Sequence, residues 1–128
     1  MGNCKLNLES NVQFGEGGAG AFSDGKLTTR IKDNRCGYVL EELVKAGAPD
    51  EIIYSGKPHV GTDLLKGVVK NIRKEIIRLG GEVRFNSKLE KVNIKDGKLK
   101  SIIVNGEEIP CEALILAIGH SSRDTYEM

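Results

Sequence analysis

Two dipeptides in the second half of the chain, Asp96-Gly97 and Asn105-Gly106, constrain its folding more than any other feature. Each separates short runs in which apolar and polar residues tend to alternate. A two-residue type I′ hairpin turn needs φ > 0 at both central positions, and Asp-Gly and Asn-Gly supply it. The spacing therefore predicts strands over 89–95, 98–104 and 107–111, joined as a three-stranded antiparallel meander. Ahead of it the period is helical. Leu64, Leu65, Val68, Val69, Ile72, Ile76 and Leu79 form one stripe, with Thr62 or Asp63 as N-cap and Gly80-Gly81 as a stop. This predicts a helix over 63–79, followed by a short strand over 82–86 with Val83 and Phe85 on one face. After the meander, Ala113 to Ile118 is continuously apolar, the pattern of a strand buried on both faces of a sheet. Such a strand needs helices on both sides. The expected fold is therefore α/β, as part of a larger sheet, and α+β when the chain is taken in isolation.

Upstream, Val39, Leu40, Leu43 and Val44 share one face of a helix expected over 37–46, ended by Gly47. Pro49, Asp50 and Glu51 are expected to open a short helix carrying Ile52 and Ile53. Residues 1–35 are polar and glycine-rich, so the chain divides into a loop segment, 1–35, and an α/β domain, 36–128. Hydrophobic residues make up 39% and aromatic residues 5% of the 128, which calls for an aliphatic core. A net charge of +1 argues against nucleic acid or an anionic membrane as the main partner. The sequence has no apolar run of about 18 residues and no apolar leader. Cys4, Cys36 and Cys111 are odd in number, far apart and free of any C-x-x-C spacing, so no metal is expected. A reducing, cytoplasmic setting fits them.

Between Gly15 and Gly25 five glycines fall in eleven positions, followed by Lys26. Glycine lets a backbone approach a phosphate or a flat ring closely. Gly15-Glu16-Gly17-Gly18-Ala19-Gly20 satisfies G-x-G-x-x-G. The preceding Glu9 to Phe14 is too polar for a buried strand, and Ser23-Asp24-Gly25 breaks the helix such a fingerprint needs. Gly20 to Lys26 satisfies G-x-x-x-x-G-K, but Leu27 stands where a Mg²⁺-holding Ser or Thr belongs. A flexible solvated loop remains an open alternative. His59, before the long helix, and His120, after the apolar run, are candidates for acid–base or cofactor contact. No nucleophile elbow accompanies Ser121 or Ser122.

Three segments together resemble a known family. Val12 to Gly20 with Phe22 to Arg30, then Lys57-Pro58-His59-Val60-Gly61-Thr62-Asp63, then Leu116 to Thr125, occur in the order found in the uncharacterised FAD-utilising dehydrogenases. The resemblance covers Glu9 to Met128 and implies a glutathione-reductase-like flavoprotein with two dinucleotide-binding domains. It implies FAD as cofactor, with NAD(P)H as an electron donor and an unknown small molecule as substrate. The family's pyrophosphate-binding strand–turn–helix has no match here, so the chain is expected to be an internal piece of an oxidoreductase, inactive alone and completed by the remainder of a parent chain. Sheet surface left uncovered by that division would favour a dimer. The implied cofactor-facing residues are Gly15, Gly17, Gly18, Ala19, Gly20, Ser23, Asp24, Gly25 and Lys26 in the loop. To these the resemblance adds Val83 beside the adenine, and Ala117, Gly119 and His120 at the end of the buried strand. It assigns no catalytic residue. The rival readings are a stand-alone nucleotide-binding module using Gly20 to Lys26 and a non-enzymatic interaction domain tethered by the glycine loop.

Overall fold

A computed structural model describes residues 15–22, 25–27 and 29–127. The chain forms two compact units, one through Val83 and one from Arg84 onward. The architecture is mixed α and β, with a three-stranded antiparallel sheet.

The first unit is built on two helices, α1 (Arg35–Lys45) and α2 (Thr62–Arg78). Helix α1 begins two residues before the expected start. Asp33 explains this: its carboxylate accepts the Arg35 N–H at 2.8 Å, and its carbonyl accepts the Cys36 N–H at 3.0 Å. The Arg35 guanidinium also grips that carboxylate and holds its pKa below the usual aspartate value. Both helices end in the same hydrogen-bonded motif. Gly47 and Gly80 take φ of 106° and 89°, and the following residues, Ala48 and Gly81, donate back to Leu43 and Ile76. Helix α2 starts from Gly61, whose carbonyl accepts the Leu65 N–H at 2.9 Å. Thr62 is therefore the first helical residue rather than the cap, and neither it nor Asp63 makes a capping hydrogen bond.

Between the helices a 3₁₀ turn, Asp50–Ile53, buries Ile52 completely. Ile52, Val60, Leu65, Val68 and Ala48 form the core, flanked by half-buried Leu27, Leu40, Leu43, Val44 and Ile72. Asn71 on α2 donates to the Ala46 carbonyl at 2.9 Å, tying the middle of α2 to the end of α1. The expected stripe on α2 is buried only in part, at Leu65 and Val68 and partly at Val69 and Ile72. Leu64, Ile76 and Leu79 are exposed, because α1, the 3₁₀ turn and the loop below face Leu65, Val68, Val69 and Ile72 instead.

The second unit holds the meander: β1 (Leu89–Lys95), β2 (Lys98–Val104) and β3 (Glu107–Pro110), in that spatial order. Asp96 and Gly97, like Asn105 and Gly106, all have positive φ, as the hairpin signals require. The Asn105 side chain does more than turn the chain. It accepts the Lys88 N–H at 2.9 Å and donates to the Asn86 carbonyl at 2.7 Å, fixing the entry into β1. Pro110 closes β3 on the sheet edge, where the missing N–H costs no ladder bond. A four-residue helix, α3 (Arg123–Tyr126), follows, and Lys88 pairs with its Asp124 at 3.2 Å, keeping that carboxyl below its ordinary pKa.

Two expected strands do not form among the described residues. Residues 82–86 are irregular and turn at Asn86, whose φ of 53° leaves the extended region. Residues 113–118 pair with no strand and lie open, with Ile115 91% exposed. A run that is apolar on both faces needs a ladder on at least one side, and the meander ends before reaching it. The sheet described is thus antiparallel throughout.

Candidate functional site

The glycine segment does not stand away from the first unit. Gly18–Phe22 forms a short 3₁₀ helix, closed at its start by the Gly18 N–H donating to the Gly15 carbonyl at 2.9 Å. The glycines divide by what surrounds them. A methyl group on Gly17 would stand 3.2 Å from Ala21 Cβ and 3.4 Å from Val69 Cγ2, and one on Gly20 would meet Leu65 at 3.6 Å. These two glycines let the loop lie close to α2. Glu16, between them and Gly15, pairs with Arg73 of α2 at 3.4 Å. Gly15 and Gly18 differ: added methyl groups there would meet nothing within 4 Å, so no protein atom occupies the space beside their backbone.

Gly25 serves a third purpose. It is buried, with φ of 66°, and a Cβ there would overlap the Val60 carbonyl oxygen. This close approach allows an antiparallel bridge between Lys26 and His59. The Leu27 N–H donates to the Pro58 carbonyl at 2.9 Å, and the Val60 N–H to the Gly25 carbonyl at 3.0 Å. Bonds placed on either side of a pair, rather than within it, define the closer of the two antiparallel spacings. Lys26 and His59 therefore share one face as near neighbours, while Leu27 and Val60 on either side turn into the core. Helix α1 does not begin until Arg35, so among the described residues no helix opens directly after Lys26.

The remaining candidates are placed as follows. Ala19 lies in the 3₁₀ helix, and Ser23 and Asp24 fall outside the described residues. Val83 is half-buried at the end of the first unit. Ala117, Gly119 and His120 are exposed in the second unit. There Gly119 has φ of 70°, and its carbonyl accepts the Tyr126 hydroxyl at 3.2 Å. Ser122 donates to the Ile118 carbonyl at 3.0 Å and so does not act as a nucleophile partner for His120 in this arrangement. Pro58 and Val60 are not among the cofactor-facing residues that the sequence suggests, whereas His59 is a candidate there for acid–base or cofactor contact. The signal was the placing of Pro58 and Gly61 around an extended pair, but the identity of its partner is not local information.

Two hollows adjoin the bridge. One, with a volume of ≈ 410 Å³, is lined by Glu51, Tyr54, Ser55, Lys57 and His59 among others. The other, of ≈ 590 Å³, includes Lys26, Leu27, Cys36, Leu40, Leu43 and Pro58. The Cys36 thiol points to the Ile31 carbonyl at 3.8 Å. Among the described residues, no group of three His, Cys, Asp or Glu is placed to hold a metal ion, and no helix is long and apolar enough to cross a membrane.

No family model matches the chain. It is 82% identical over 124 residues to an uncharacterised protein of Clostridium beijerinckii. That alignment takes in 97% of this chain and 23% of the relative, so the chain spans under a quarter of the relative's length.

Proposed function

We propose that the chain contributes part of the FAD site of a flavin-dependent oxidoreductase. The observation that carries this reading is the Lys26–His59 bridge. It joins two of the three segments whose sequence resembles the FAD-utilising dehydrogenases, and it presents a cation and an imidazole on one face. Gly15 and Gly18 would give a flat ring or diphosphate access to main-chain atoms, and Lys26 would supply positive charge. The flavin, when bound, would supply hydride transfer. The protein's own residues would hold it and exclude water. On this reading the exposed run 113–118 is a strand of a Rossmann-like sheet completed elsewhere. The start of the next helix only at Arg35 and the burial of Gly25 weigh against a phosphate loop, which needs a helix directly after the lysine.

The experiment is the visible absorption spectrum of the purified Clostridium relative, before and after incubation with FAD. A bound flavin spectrum, weakened when methionine replaces the residue aligned with Lys26, supports the reading. A colourless protein that takes up no FAD overturns it.

A further inference from the structure

The larger hollow beside the bridge has a chemistry of its own. Half-buried Leu27, Leu40, Leu43 and Pro58 line it, with the exposed Val39 and Lys26. Thr29 and Cys36 add a hydroxyl and a thiol, and among the described residues no carboxylate lines it. Its ≈ 590 Å³ lies within the roughly 300–1,000 Å³ typical of small-molecule sites. Apolar lining favours a hydrocarbon body, and one ammonium favours one negative charge. The exposed Arg30 and Lys32 follow on the same segment and keep the local field positive. A polyphosphate would need several donors, whereas a carboxylate is matched by a lysine with three N–H groups, which can serve a protein acceptor at the same time.

We propose that this groove binds a small monocarboxylate with an aliphatic or aromatic body, its carboxylate on Lys26 and its hydrocarbon against Leu27, Leu40 and Leu43. Naming that acid the substrate of the redox reaction rests on the flavin reading; the binding does not.

Cys36 provides the readout, since a ligand in the groove covers its thiol. In Cys4→Ser/Cys111→Ser protein without FAD, alkylation of Cys36 by iodoacetamide is followed with octanoate or octylamine as probe. Octanoate should slow alkylation in a saturable manner, and octylamine at equal concentration should not. Lys26→Met should raise the half-protecting octanoate concentration about tenfold, the loss expected for one charge-assisted hydrogen bond. Val39→Asp, at an exposed position, should abolish protection while circular dichroism stays unchanged. Equal protection by both probes, or by neither, overturns the proposal. Because FAD is absent, that failure is separate from failure of the relative's flavin spectrum.

Discussion

Replacing Gly25 by alanine tests how the two motifs are held together. The φ of 66° costs a residue with a side chain about 1–2 kcal/mol. The new Cβ would overlap the Val60 carbonyl oxygen, and because that neighbour is backbone, no rotamer change relieves the overlap. The strands must part, weakening the Leu27-to-Pro58 and Val60-to-Gly25 hydrogen bonds, each worth roughly 1 kcal/mol net. The total is about 3–4 kcal/mol, against a stability of ~5–15 kcal/mol for an ordinary domain. Hydrogen exchange should show the Leu27 and Val60 amides opening at least about a hundredfold more often. Urea unfolding should show a lower midpoint. Gly18→Ala is the control: its φ of 53° carries a similar conformational cost, but nothing lies within 4 Å of the added methyl, so the bridge amides should keep their protection. If Gly25→Ala matches wild type in both midpoint and amide exchange, the close-approach argument is refuted.

Three further outcomes follow from the same contacts. Ile52→Ala empties a fully enclosed core position and should lower stability by about 2–5 kcal/mol in urea titration, whereas Ile52→Val should cost about 1. Asp33 has its folded-state pKa lowered by Arg35, so its contribution to the start of α1 is present above the unfolded value near 3.8 and disappears as pH falls through the lower folded value. Carbon-detected NMR titration should show Asp33 titrating below a free aspartate, and Arg35→Gln should return it to normal. Ile115→Lys falls on a 91% exposed side chain and should change the chain's unfolding free energy by less than about 0.5 kcal/mol; a large loss would mean the segment is covered.

Much of this chain was legible because its determinants are local. A hairpin turn is decided by two residues that tolerate positive φ, and Asp96-Gly97 and Asn105-Gly106 fold as read. The end of α2 is decided by Gly80, and its buried face by the spacing of Leu65, Val68 and Ile72. The start of α1 is also local but lies earlier than its apolar spacing indicates, because Asp33, just before the cap residue Asn34, accepts the Arg35 N–H from a stretch that looks unstructured. The runs 82–86 and 113–118 show the opposite case. Their composition suits strands, yet a strand exists only when another backbone accepts its hydrogen bonds, and hydropathy does not name that partner.

The glycine segment divides along the same line. The sequence alone determined that the backbone between Gly15 and Gly25 can come close to something. Tertiary structure decided to what: Gly17 and Gly20 approach α2, Gly25 approaches Val60, and Gly15 and Gly18 remain open. Missing side chains permit close contact with any neighbour, protein or ligand. Only the packed chain shows which glycines are already occupied by protein and that Lys26 lies beside His59.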